Sequence, residues 1–193
     1  MSRKLVVTLV LILFLLPFVS WYYLNSGLTW RKQAQAIMNG TVVFPSGTWK
    51  DARDITFSSE LLDEHVTLVS KLTCDNMSEQ TDILTRIYDQ FKETKKANYI
   101  LLQECEQASG ITEDSLKVNW FVFNCRDSIN LCNTFFPDWP EGKTFALVDR
   151  DNVIRSYYSA TTKEEKRLLL EHMALLLPRE RSDKVELRRD TTK

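Results

Sequence analysis

The chain has 193 residues, and its 25 lysines and arginines nearly balance its 26 aspartates and glutamates, which leaves a formal net charge of −1. This balance excludes the strongly basic surface expected of a nucleic-acid-binding protein. The length is sufficient for one folded domain with a hydrophobic core in addition to a membrane segment.

The N-terminal segment is an apolar run. Residues 5–24 include no charged side chain, and about 20 apolar residues in a helix are enough to cross a bilayer core. Arg3 and Lys4 precede the run and favour a cytoplasmic N-terminus, while the aromatic residues 21–23 suit the opposite interface. Because no small-residue cleavage pattern follows, we predict an uncleaved anchor at residues 1–24 rather than a signal peptide.

Three further segments follow the anchor. Residues 25–50 are predicted to be a juxtamembrane linker, with a short amphipathic helix in "LTWRKQAQAIM" and then a stretch interrupted by glycine and proline. Residues 51–180 are predicted to form the folded domain, which the membrane orientation places outside the cytoplasm. Residues 181–193 are a charged tail that we expect to be frayed.

A strand–helix–strand unit forms the centre of the predicted domain. "HVTLVSKLT" is β-rich and apolar, as expected of a buried strand. Apolar side chains then recur at helical spacing, and Asn76 with Glu79 fits a capping box at the start of this helix. "ANYILLQEC" is the second strand. The unit predicts two parallel strands joined by a right-handed crossover.

The remaining elements complete the predicted sheet. "VNWFVFNC" is a third strand-like run, followed by a short helix in "RDSINLCNTFF". Residues 144–148 and 153–158 form a hairpin around the turn "DRDN". Thr162 and Glu165 form a capping box for a last helix that ends at Pro178. This order predicts an α/β, thioredoxin-like fold, a central mixed sheet flanked by helices and preceded by one transmembrane helix.

Two other features have simple structural interpretations. Asp149 and Asp151 in "DRDN" invite a metal-site hypothesis, but aspartate and asparagine are ordinary residues of hairpin turns, and we favour that interpretation. His172 lies in the last helix, where we predict that it faces solvent.

A family resemblance covers residues 48–178 and rests on five segments, the anchor and four within that range. They are the anchor, "DITFSSELL", "VTLVSKLTC" before the helix, "WFVFN" after the second strand, and "FALVDRDNVIRSYY". In this order the chain resembles the Sco/SenC proteins, which are membrane-anchored thioredoxin-fold factors for copper insertion into cytochrome c oxidase. The resemblance implies a role in cytochrome oxidase biogenesis or copper handling in a bacterial cell envelope.

The functional motif of that family is incomplete in this chain. The family carries Cys-x-x-x-Cys at the strand–helix junction and a histidine shortly before the hairpin. Cys74 matches the first cysteine, but the second position is Ser78, and the histidine position falls near Glu141. Since Cu(I) prefers thiolate, thioether or imidazole ligands, we expect no cofactor. The alternative is Cu(I) bound by Cys74 and Met77.

The four cysteines leave two questions open. Cys74 precedes a helix N-terminus, whose dipole favours a thiolate. Cys105 ends the neighbouring predicted strand, about 4.8 Å away, so a Cys74–Cys105 disulfide is geometrically possible if the strand registers match. The competing hypothesis is that both are buried free thiols. Cys125 and Cys132 are able to form a local disulfide in an oxidising compartment, or to remain free.

The leading functional hypothesis is a non-catalytic factor in cytochrome c oxidase biogenesis or respiratory-complex assembly, acting through contacts with a membrane or periplasmic protein. One alternative is a thiol-disulfide redox protein or copper carrier that uses Cys74 with a non-standard partner. The other is a structural accessory subunit of a membrane complex. The loss of the second motif cysteine at Ser78 favours a protein that is not an enzyme.

Overall fold

The apolar N-terminal run lies in one long helix. The computed structural model describes residues 3–104, 119–125, 132 and 139–178. Its first element is helix α1, Arg3–Ile37, of which Ile12–Ile37 is long and apolar enough to cross a membrane, judged by length and composition. Pro17 lies inside α1, as membrane helices tolerate. The chain divides into two units between Gly40 and Thr41.

The second unit is built around a mixed sheet of six strands in the order β1-β8-β7-β4-β5-β6, with a separate two-stranded sheet, β2-β3. The strands are β1 (Val42–Val43), β2 (Thr48–Lys50), β3 (Thr56–Ser58), β4 (Val66–Leu72), β5 (Ala97–Gln103), β6 (Trp120–Asn124), β7 (Phe145–Val148) and β8 (Val153–Tyr158). The helices of this unit are α2 (Met77–Phe91), α3 (Lys163–Leu176) and a one-turn 3-10 helix, Ser59–Leu62.

Strand directions confirm the predicted mixed sheet. Strands β4, β5 and β6 are parallel, β7 is antiparallel to β4, and β8 is antiparallel to β7. Helix α2 is the crossover between β4 and β5, as the strand–helix–strand pattern predicts. Short strands β1 and β2 were not predicted, because two or three residues beside Gly40, Pro45 and Gly47 give no periodic signal.

The two faces of the sheet are covered differently. On one face, Tyr88 of α2 packs edge-on against Tyr99 and Trp120, and α3 packs against the same face through Tyr158 and His172. The opposite face carries the main apolar cluster, which includes Phe44, Phe57, Leu62, Val69, Ile100, Leu102, Phe123, Cys132, Trp139, Ala146, Val148 and Ile154. Both faces of the sheet are therefore covered by packed side chains and shielded from solvent, which explains the almost continuous burial of β4 and β5.

A loop between β2 and β3 covers the outer edge of β6. The amide of Ala52 donates to the carbonyl of Val122 at 2.7 Å, and the Arg53 guanidinium donates to the carbonyl of Trp120 at 2.7 Å. Asp51 holds this loop, because its buried carboxylate accepts from the Ile55 amide and from the Arg53 side chain. Covering an edge strand in this way blocks pairing with other chains.

Helix α3 confirms one prediction and corrects another. The Thr162–Glu165 capping box is present, and hydrogen bonds, led by the one from the Ser159 hydroxyl, lower the pKa of Glu165 to about 2. The prediction that His172 faces solvent is wrong, since His172 is fully buried. Leu169, His172 and Met173 are spaced i, i+3 and i+4, so they form the buried stripe of the helix.

Candidate functional site

Cys74 lies in the turn that joins the central strand to the first helix of the sheet unit. Strand β4 ends at Leu72 and α2 begins at Met77, and between them Cys74 and the neighbouring Asp75 are exposed. The turn is closed by a hydrogen bond from the amide of Asn76 to the carbonyl of Thr73, at 3.3 Å. Cys74 is thus presented at the surface beside the N-terminal end of α2, as predicted.

The predicted capping box at the start of α2 is wrong. Asn76 occupies the cap position, but its side chain makes no capping hydrogen bond to α2. Its carboxamide oxygen accepts instead from the amide of Thr73, at 2.8 Å. The reason is local, because the tight turn brings the Thr73 amide within reach and leaves Asn76 at φ −113° and ψ 0°, outside the extended conformation usual for a cap.

Cys74 is exposed and takes part in a disulfide, so the hypothesis that it is a buried free thiol is wrong. Cys105, the predicted partner, lies outside the described residues, so its state stays a prediction. Cys125 and Cys132 are bonded to each other with a Cα–Cα distance of 5.5 Å, which agrees with the predicted local bridge. Cys132 is 2% exposed and belongs to the main apolar cluster, so this second disulfide is a core element.

The registers of β4 and β5 bear on the pairing of Cys74. Leu72 is opposite Gln103 in the parallel pair, and the amide of Glu104 donates to the carbonyl of Leu72 at 3.0 Å. Lys71 and Glu104 form an ion pair at 3.2 Å across the same strand ends. The two strands are therefore still joined at the last described residue before position 105.

The residues at the family's metal positions do not fit Cu(I). Ser78 and Glu141 are exposed and offer hard oxygen donors, whereas Cu(I) prefers sulfur and imidazole ligands. Met77 is 8% exposed, and the Cys74 sulfur is engaged in a disulfide. Within residues 3–104, 119–125, 132 and 139–178, no group of three His, Cys, Asp or Glu side chains forms a metal-ligand cluster.

The Asp149 carboxylate forms its hydrogen bonds within the hairpin of β7 and β8. One carboxylate oxygen accepts from the amides of Asp151 and Val153, both at 2.9 Å, and the other accepts from Arg155. Asn152 takes the left-handed conformation, with φ 59°. These contacts support the turn interpretation of "DRDN" over the metal hypothesis.

Two buried glutamines on the α2 side of the sheet were not singled out from the sequence. Gln80 of α2 and Gln103 at the end of β5 are 3% and 4% exposed, and the Gln80 Oε1 and Gln103 Nε2 atoms have no hydrogen-bond partner among the described residues. The available signal was spacing, since Gln80 lies i+3 from Met77 and i−3 from Ile83 on the buried face of α2. Gln103 is the last residue of β5, the strand paired with β4, and Gln80 lies in the first turns of α2.

Comparison with known proteins gives structural matches alone, because no family model and no curated protein matches this sequence. The thioredoxin domain of a thiol-disulfide oxidoreductase from Bacteroides vulgatus superposes with a TM-score of 0.54 and 16% identity, covering 72% of this chain and 98% of that one. A SCO1/SenC family lipoprotein from Bacillus anthracis gives a TM-score of 0.52 and 16% identity, covering 73% and 97%.

A putative thiol:disulfide interchange protein DsbE from Chlorobium tepidum superposes with a TM-score of 0.55 and 9% identity, covering 73% of this chain and 99% of that one. These similarities span almost the whole of each relative, and the part of this chain they cover is about the size of its sheet-containing unit. At such low identity they establish the fold, and the domain therefore has a thioredoxin-like fold of the kind found in Sco/SenC and disulfide-interchange proteins.

Proposed function

We propose that this chain is a membrane-anchored thiol-disulfide protein of the bacterial cell envelope in which Cys74 exchanges its disulfide with a partner. The observation that carries the proposal is the exposed, disulfide-bonded Cys74 between β4 and α2. Reactive cysteines are accessible and lie near a helix N-terminus, whereas structural cysteines are buried. Of the hypotheses drawn from the sequence, this geometry favours the thiol-disulfide protein with a non-standard partner for Cys74.

Cys105 is the proposed second half of the disulfide. Cys125 and Cys132 are bonded to each other, so Cys105 is the one other cysteine in the sequence. The pairing of Leu72 with Gln103, continued by two residues, would place position 105 opposite position 74. Such a disulfide would take the place of the family's Cys-x-x-x-Cys pair.

The proposed reaction is reduction by a dithiol protein. One thiolate of the reductant attacks a sulfur of the Cys74 disulfide, the S–S bond breaks, and its electron pair leaves on the other sulfur, which takes up a proton. The second thiolate of the reductant then attacks the mixed disulfide. Two electrons and two protons are transferred, so this chain ends as a dithiol and the reductant ends as a disulfide.

Limited reduction of the folded protein tests this proposal. The full chain in detergent micelles is treated with a low concentration of dithiothreitol without denaturant, and free thiols are alkylated and located by peptide mass spectrometry. We expect alkylation of Cys74 while Cys125 and Cys132 stay oxidised, because an exposed disulfide is accessible and a core disulfide is not. Equal resistance of both disulfides until denaturant is added would contradict the proposal.

The second candidate is a non-catalytic factor in cytochrome c oxidase biogenesis or respiratory-complex assembly. The observation that favours it is the poor copper donor set at Ser78 and Glu141, together with the structural similarity to a SCO1/SenC family lipoprotein. In this role the domain would act outside the cytoplasm by protein contacts near the membrane, with α1 as its anchor.

Co-purification tests the second candidate. We expect the full chain, extracted from membranes with mild detergent, to retain an oxidase subunit or another respiratory-complex subunit. Replacement of Cys74 by serine separates the two roles, since it abolishes disulfide exchange but leaves a purely contact-based association intact. Loss of the association in C74S would favour the thiol-disulfide role, and absence of any respiratory subunit from the wild-type extract would sink the assembly role.

A further inference from the structure

The turn that contains Cys74 is closed by the side chain of Asn76, which occupies the N-cap position of α2. Asn76 makes two contacts with Thr73: its carboxamide oxygen accepts from the Thr73 amide at 2.8 Å, and its own amide donates to the Thr73 carbonyl at 3.3 Å. Cys74 and Asp75 are the two residues enclosed by these bonds, and both are exposed.

The same contacts leave the N-terminus of α2 without a side-chain cap. An asparagine at the cap position ordinarily accepts a hydrogen bond from an amide in the first helical turn, but the Asn76 oxygen is already engaged with Thr73. Helix α3 provides the contrast within this chain, because Thr162 accepts from the Glu165 amide in the usual way. Among the described residues, no side chain caps the first-turn amides of α2, which ordinarily take an acceptor outside the helix.

We propose that Asn76 is a positioning residue for Cys74: its carboxamide closes the turn instead of capping α2, which holds Cys74 in an exposed position just before the uncapped N-terminus of the helix. This inference rests on the proposed thiol-disulfide function. When the disulfide opens, the electron pair on the Cys74 sulfur is stabilised by the positive end of the α2 dipole, which makes Cys74 a better leaving group.

The chemical identity of residue 76 affects the Cys74 thiolate, in addition to the hydrogen bonds that residue 76 makes in the turn. An aspartate at position 76 would accept the same bond from Thr73 but would add a negative charge two residues from the sulfur, which disfavours a thiolate. An alanine would remove the acceptor and add no charge. Asp75 already places one carboxylate next to Cys74, and the neutral amide of Asn76 holds the turn without adding a second negative charge.

Three variants of the full chain in detergent test the inference: Asn76→Ala, Asn76→Asp and the control Gln90→Glu. Gln90 is exposed near the C-terminal end of α2, so Q90E adds the same charge far from Cys74. Two quantities are measured for each protein by site-resolved mass spectrometry, the rate of disulfide reduction by dithiothreitol and, after reduction, the pH dependence of Cys74 alkylation.

We expect N76A to slow reduction about fivefold and N76D to raise the apparent thiol pKa of Cys74 by about 0.5 to 1 unit, while Q90E matches the wild type. If N76A also lowers the thermal midpoint, its slower reduction is not informative. The N76D variant then tests the inference, because its carboxylate still accepts the hydrogen bond from the Thr73 amide. The inference is overturned if N76D and Q90E give the same Cys74 alkylation profile, or if folded N76A is reduced within twofold of the wild-type rate. A wild-type Cys74 disulfide that resists dithiothreitol would instead reject the proposed function.

Discussion

His172 is a buried histidine whose ring makes one hydrogen bond where it could make two. Its Nδ1 atom lies 2.6 Å from the Tyr158 hydroxyl, and its Nε2 atom has no partner in the part of the chain that the structure describes. Burial lowers the pKa of His172 below its usual 6.5, against a smaller opposing contribution from the Glu171 carboxylate. Burial also raises the pKa of the Tyr158 hydroxyl. The pair is therefore neutral in the folded domain, and a proton added to His172 would be a buried, half-satisfied charge.

This arrangement predicts a loss of stability in mild acid. Well above pH 6.5 His172 is neutral in both states, but as the pH falls towards and below 6.5 the unfolded chain binds a proton that the folded chain binds less readily. The free energy of unfolding should then decline by at most about 1.4 kcal/mol per pH unit. Denaturant titrations between pH 7.5 and 5 measure this slope. We expect H172Q to flatten it and H65Q, which changes the one other histidine, to retain it; equal slopes in all three proteins would contradict this assignment.

At the scale of elements, long periodic segments were predictable and short or context-dependent features were not. Strand β8 has the predicted bounds, and β4, β5, α2 and α3 lie where their apolar spacing indicates, because burial on a sheet or helix face imposes that spacing. The Asn76 side chain could not be assigned, since capping and turn closure compete for one oxygen atom and only tertiary geometry decides between them. The predicted helix in "RDSINLCNTFF" and the charged tail 181–193 lie outside the described residues, apart from Cys132.

The cap of α3 yields a prediction for that element. Thr162 accepts from the Glu165 amide, and the Glu165 side chain reaches back to the Thr162 amide. T162A should lower the free energy of unfolding by about 1 kcal/mol, as measured by urea denaturation of the full chain in detergent. T162S is the matched control, because serine caps as well as threonine. A T162A variant as stable as T162S would show that the cap is not needed to hold α3 on the sheet.

At the scale of the whole molecule, the disulfides and the apolar helix support one location. Disulfides persist in oxidising compartments, and the disulfides of Cys74 and of Cys125 with Cys132 are compatible with the proposed location outside the cytoplasm. The two bonds differ in setting. Cys132 lies in the apolar cluster with 2% exposure, whereas Cys74 lies in an exposed turn. One bond is thus suited to holding the fold and the other to exchange.

A redox titration of the full chain in glutathione and dithiothreitol buffers tests whether the Cys74 disulfide exchanges while the Cys125–Cys132 disulfide is structural. Each cysteine is followed by alkylation and mass spectrometry. We expect a reduction potential for the Cys74 disulfide between about −270 and −120 mV, the range of exchange proteins, and one below about −300 mV for Cys125–Cys132. If the Cys74 disulfide is also reduced only below about −300 mV, and only as the domain unfolds, the result would contradict the thiol-disulfide function.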